Sequence, residues 1–233
     1  MRRILQGLPE NLDQTYERIL QEIPKENRIH AHRLLQCLTV AVRPLRVQEL
    51  AEIIAVEFAD GGMPKLNEDW RWEDQEQALL CSCLSLIAIV HAGDSRVVRF
   101  SHFSVKEYLT SPRLSASSGD ISTYHISFEP AHMILGQACL GVLLRLDSRG
   151  RGIDGNIGVN SPLAEYAARH WVDHARFANA SSRLQKAMEY LFDPDKPQFA
   201  AWPQLYGIDT EPDDFSPFIT YTGFSLISKM TQC

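Results

Sequence analysis

The feature that most limits this chain is a change of period between residues 86 and 100. Apolar residues recur at helical steps on both sides of that stretch. Inside it stand two short β-rich runs, Leu86, Ile87, Ile89 and Val90, then Val97, Val98 and Phe100, split by the turn pair Gly93-Asp94. A hairpin is predicted there, set among helices.

Three helices are predicted well ahead of it, and a fourth, short one leads into it. The first carries Leu8, Leu12, Tyr16, Ile19, Leu20 and Ile23 at three- and four-residue steps, with Pro9 near its start and Pro24 at its stop. A second spans about 25–42 and ends at Arg43-Pro44, because a residue before proline is pushed out of the helical region. A third, about 47–58, packs Leu50, Ile53 and Ile54. Residues 59–75 read as a solvated loop, broken by Gly61, Gly62 and Pro64, and a short helix at about 76–84 leads into the hairpin. After the hairpin, Ser104 and Glu107 have capping-box spacing, so a helix is predicted from Ser104 with Val105, Tyr108 and Leu109 inward and Pro112 past its end.

Helices followed by a hairpin make a winged helix. The expected fold is therefore mainly α: a winged-helix domain at 8–112, a Ser/Gly linker at 113–125, a helical domain at 126–192 and a Pro-rich tail at 193–233. Within the helical domain, Met133, Ala138, Val142, Leu143 and Leu146 mark one helix. Ser161 with Pro162 opens another around Leu163, Tyr166, Ala167 and Trp171, and a last one covers about 182–192. Little regular structure is expected in the tail before about 219–229.

Composition narrows the function classes. With 45% hydrophobic and 22% charged residues, the chain can bury a core. Its five cysteines, Cys37, Cys81, Cys83, Cys139 and Cys233, form no CxxC pair and read as buried thiols of a reducing compartment, so a cytoplasmic location is expected. No apolar run is long enough to span a bilayer, and no membrane partner is expected. Winged helices commonly bind DNA, but a net charge of -6 and an approach to the helix before the hairpin through Glu68, Asp69, Glu73, Asp74 and Glu76, against Arg71 alone, repel phosphate. No nucleic acid is expected as partner; a protein is.

Several constellations invite catalytic or metal readings. Ser101 beside His102 lacks the G-x-S-x-G elbow of a hydrolase, and neighbours in sequence rarely align as nucleophile and base. His170 and His174 stand one helical turn apart, yet Trp171-Val172-Asp173 departs from H-E-x-x-H and no third ligand is placed. No catalytic and no metal residue is assigned. Trp70 and Trp72, in the acidic loop, are the interaction candidates, against the plainer reading that they fold back on the core.

The stretch from Val98 to Leu109, VRFSHFSVKEYL, places His102 between a strand end and a helix start. It resembles the F-x-H-x-S/T-x-x-E-Y/F-L element that closes the winged-helix domain of NACHT and related signal-transducing ATPases (STAND NTPases, NLR-like proteins). Leu8 to Leu20, LPENLDQTYERIL, is similar to the helix leaving the NACHT core in fungal NACHT and ankyrin proteins. Arg43-Pro44-Leu45 with Glu49-Leu50 resembles the turn that follows, and Pro162 to Ala168 with Trp171 and His174 a helix further on. Four ordered blocks thus cover about 8–175. The same module carries the label of GPI inositol-deacylase, without implying deacylation. Ser216 to Ile219 with Gly223-Phe224 resembles a degenerate ankyrin start.

The resemblance implies a non-catalytic module that couples a nucleotide-binding NACHT core to C-terminal ankyrin repeats, with His102 reaching the β-phosphate of ADP held by that core. The phosphate loop G-x-x-x-x-G-K-[ST] has no counterpart here, so ADP or ATP is implied only through a core outside this chain. The alternatives are a plain protein-interaction scaffold, a truncated NACHT-ankyrin gene product, and a DNA-binding winged helix.

Overall fold

A computed structural model describes residues 10–58, 63–146, 161–177, 182–199 and 201. Leu8, Pro9, Gly61, Gly62, Cys233 and the ankyrin-like start lie outside the described residues. By its contacts the chain divides into two compact units, one from residues up to Ala55 with Glu68–Leu135, the other from Val56–Asn67 with Gly136 onward.

The first unit opens with helix α1 (Glu10–Glu22), which buries Tyr16 and Leu20 and stops before Pro24. A 3-10 turn at Lys25–Asn27 leads to α2 (Arg28–Val40), which buries Leu34, Leu35 and Cys37. Arg43-Pro44 turns the chain out of helix, and Leu45–Arg46 extends as strand β1 before α3 (Val47–Ile54). Helix α4 (Gln75–Cys83) begins at Asp74, whose carboxylate accepts the Gln77 N–H at 3.0 Å. Strands β2 (Val56–Glu57) and β3 (Lys65–Leu66) belong to the second unit. The hairpin then follows as β4 (Ile87–Ala92) and β5 (Ser95–Phe100).

The three strands form one antiparallel sheet, β1-β5-β4, with Ile87 opposite Phe100 and Leu45 opposite Val98. The order α2-β1-α3-α4-β4-β5 is a winged helix, with α4 in the position of a recognition helix. Its core includes Leu35, Leu50, Ile53, Leu79, Val98 and Val105, each at most 1% exposed. Each such side chain contributes roughly 1.5–3 kcal/mol through burial. After the hairpin come α5 (Phe103–Leu109) and α6 (Pro112–Ser115).

Three local expectations differ from the structure. Helix α3 ends at Ile54 rather than near 58, and Val56–Glu57 (β2) pairs antiparallel with Lys65–Leu66 (β3) inside the expected loop. Val56 is fully buried in that ladder, and a contact made with residues ten positions later leaves no periodic mark. The stretch 113–125, expected as a linker, holds α6 and a 3-10 segment, Gly119–Tyr124, with Leu114 and Tyr124 buried. Ser111, just ahead of it, accepts the Leu114 N–H at 3.2 Å, and within it the Ser117 and Ser122 hydroxyls donate to the Arg113 and Gly119 carbonyls at 3.1 and 2.9 Å. In the tail, residues 197–199 are helical, and buried Gln198 donates to the Leu144 carbonyl at 2.8 Å.

Helix α7 (Phe128–Leu143) contains the boundary between the units, after Leu135. The second unit adds α8 (Ala164–Phe177) and α9 (Ser182–Leu191), with Leu140, Leu143, Tyr166, Leu184 and Leu191 fully buried and Trp171 2% exposed. Arg145 donates to the Leu66 carbonyl at 2.9 Å and so holds β3 to the end of α7.

Candidate functional site

The site is the junction where β5 hands the chain to α5. The Ser101 N–H bonds the Leu86 carbonyl at 3.0 Å, which closes the base of the hairpin and fixes where the next residue stands. His102 follows in extended conformation (φ -146, ψ 149), and its own side chain is the helix cap: Nδ1 accepts the Ser104 N–H at 3.3 Å. The predicted Ser104–Glu107 capping box does not form. Ser104 lies inside the helix, 1% exposed, because its hydroxyl is held by the Tyr16 hydroxyl of α1 at 2.7 Å and by His102 Nδ1 at 2.5 Å.

The imidazole itself is exposed. It lies tilted on the Phe103 ring, with centroids 4.2 Å apart, and Phe103 is 70% exposed. With Nδ1 occupied by Ser104, the other nitrogen, Nε2, has no hydrogen-bond partner among the described residues. An N–H directed out of the protein from a neutral ring can donate to an anion. The hydroxyl on the imidazole is that of Ser104, which is closed to solvent, and not that of Ser101.

The elements around the junction are pinned by long-range bonds. Lys106 reaches the Thr39 carbonyl of α2 at 2.7 Å. Arg113 of α6 pairs with Asp13, whose carboxylate is nearly buried on α1. Tyr16 and Tyr108 rings pack at 5.5 Å. Sequence reasoning named His102 and missed the Tyr16–Ser104 and Asp13–Arg113 pairs around it, because the partners lie 88 and 100 residues apart.

The other sequence candidates part company. Trp70 is 49% exposed at the end of the 3-10 turn Glu68–Trp70. Trp72 is half-buried with its ring edge-on to His30, centroids 6.3 Å apart. His174 is fully buried, its Nε2 bonded to the Tyr166 hydroxyl at 2.8 Å, while His170 lies 3.4 Å from Asp173. His174 is thereby committed to packing, although it stands one turn from His170. Cys37 and Cys83 are buried, and burial pushes both thiols up to about 12. Cys139 is buried too, but Cys81 is exposed on α4, against expectation, because it falls on the outward face of that helix.

A groove of about 620 Å³ lies where α3, α4 and the hairpin tip meet, lined by Arg46, Gln48, Glu73, Asp74, Glu76 and Arg96 among others. Its charges are largely committed, Asp74 to the α4 cap and Glu76 to Arg96. The outward residues of α4 are Gln77, Leu80 and Cys81, and that helix has no lysine or arginine.

Residues 16–119 match the family described as GPI inositol-deacylase, winged helix domain. Among curated proteins, the chain is similar to azaphilone pigments biosynthesis cluster protein L of Monascus ruber, 33% identical over 215 residues, which is 89% of this chain and 44% of that protein. The chain thus spans less than half the length of this relative. No solved structure matches it significantly. Among the described residues, no helix is long and apolar enough to cross a membrane.

Proposed function

Starting from a winged-helix domain of the GPI inositol-deacylase type at residues 16–119, we propose that this chain is a non-catalytic, cytoplasmic regulatory module, coupling a NACHT-type nucleotide-binding core to ankyrin repeats or other protein partners. The observation that carries the proposal is the placement of His102, which is exposed, with Nδ1 taken by its own domain and Nε2 without a hydrogen-bond partner among the described residues. In that role the Nε2–H donates to a phosphate oxygen of ADP held by the core. A hydrogen bond to an ionised acceptor contributes roughly 1.5–3 kcal/mol, comparable with an allosteric coupling of about 1–3 kcal/mol. One residue is enough to bias a two-state switch.

The DNA-binding alternative draws no support from α4, whose outward face offers no cation to a phosphate. The scaffold alternative, in which the domain only connects neighbours, predicts that His102 has no effect on nucleotide. The test is ADP release from a protein in which a NACHT core precedes residue 8. His102→Ala is expected to speed release roughly 10- to 100-fold, the equivalent of the bond lost; an unchanged rate overturns the nucleotide role and leaves the scaffold.

A further inference from the structure

We infer that Tyr16 and Ser104 form a positioning relay that holds the His102 imidazole in its Nε2–H tautomer and ties that ring to helix α1. The reasoning is one of hydrogen-bond polarity. The Ser104 backbone N–H can only donate, so His102 Nδ1, which receives it at 3.3 Å, carries no proton. The Ser104 hydroxyl, 2.5 Å from the same nitrogen, must therefore also donate to it. Its oxygen is left to accept, and the Tyr16 hydroxyl at 2.7 Å donates. Every proton in the chain Tyr16, Ser104, His102 then points one way, and the ring proton is left on Nε2, facing out. Ser104 is 1% and Tyr16 7% exposed, so water does not compete strongly for either hydroxyl.

The relay crosses 88 residues of sequence and joins two elements, α1 and the start of α5. Any displacement of α1 that breaks the Tyr16–Ser104 bond frees the Ser104 hydroxyl to turn, and the ring is then held only by the longer backbone bond. Tyr16 is thus a positioning residue that makes the outward donor sensitive to where α1 sits. Its bearing on nucleotide rests on the function proposed above; the relay itself does not.

The experiment uses this chain without nucleotide, labelled with nitrogen-15 at histidine, at a pH well above about 6.5 where unperturbed imidazole is neutral. Long-range proton–nitrogen correlation spectra report which ring nitrogen carries the proton, and His102→Gln identifies the His102 signals by their loss. The native chain is expected to show a bare Nδ1 and a protonated Nε2. Ser104→Ala, which leaves only the longer backbone bond on Nδ1, is expected to move both signals part of the way toward the averaged values of a mobile histidine, and Tyr16→Phe to move them by less while the ring packing on Tyr108 is kept. Lys106→Met, which loosens α5 from α2 without touching the relay, should leave them in place. A protonated Nδ1 in the native chain, no movement in either relay variant, or an equal movement in Lys106→Met overturns the inference. ADP release in the core-containing protein reads the functional proposal separately, so either can fail alone.

Discussion

Glu49 is fully buried on α3, yet it retains its charge partners: both carboxylate oxygens take the Arg43 guanidinium, at 2.7 and 2.8 Å, and one accepts the Arg46 N–H at 2.7 Å. Such a carboxylate is costly to desolvate and is tolerable only while these bonds persist. Arg28 with Asp120, at the same 2.7 Å, is a different case because Asp120 is 77% exposed. Distance does not separate the two pairs, but burial does. Arg43→Met is expected to lower stability by about 1–3 kcal/mol, and Arg28→Met by at most about 1 kcal/mol, as compared by urea denaturation. Equal losses would show that the buried carboxylate finds another donor. The Arg43-Pro44-Leu45 block thus has a structural reason of its own, since Arg43 holds the Glu49 carboxylate that caps the Arg46 N–H at the start of α3.

At the scale of elements, α7 shows how closely helices and strands approach here. A Cβ added at Gly141 would sit 3.1 Å from a Val56 methyl group and 3.3 Å from Pro64 Cβ, whereas at Gly136 the nearest atoms are at an ordinary 3.5 Å. Glycine in a helix interior costs roughly 0.5–1 kcal/mol relative to alanine. Gly136→Ala is therefore expected to stabilise the chain by about that amount in thermal denaturation. Gly141→Ala is expected to gain nothing or to destabilise, since the overlap with the β2–β3 ribbon offsets the helical gain. A matching gain at both positions would mean that the ribbon yields freely. The hairpin shows the converse, a local feature fully written in sequence: Gly93 supplies the positive φ of 60° that the two-residue turn requires.

At the scale of the whole molecule, three histidines among the described residues bear on its response to acid. Burial lowers the pKa of His30, His32 and His132 below the ordinary 6.5; a neighbouring cation adds to this in each, Arg33 beside His30 and His32, Lys106 beside His132. His125 also faces His32, raising its pKa through a backbone bond and lowering it through charge. At these sites the unfolded chain then binds more protons than the folded one between pH 6.5 and the depressed folded values. Stability that is complete above that pH is lost as pH falls toward the depressed folded values. The urea midpoint is expected to decline between pH 7 and 5, and His32→Gln to flatten the slope; a midpoint constant over that range would contradict neutral burial of these rings.

Much of this was legible in one dimension. Apolar period fixed α1, α2, α4 and α8 to within a few residues, the β-rich runs fixed the hairpin, and the VRFSHFSVKEYL stretch placed His102 at a strand-to-helix junction, because periodicity, turn chemistry and proline stops act over short spans of chain. Tertiary contact alone decided the rest. It made Val56 a strand residue in the second unit, gave the 113–125 segment buried anchors at Leu114 and Tyr124, took His174 for Tyr166, and moved the cap of α5 from Ser104 to His102. The physical reason is common to all four. Which partner a side chain meets across the fold is a matter of packing between distant segments, and such a meeting leaves no spacing in the sequence from which it could be read.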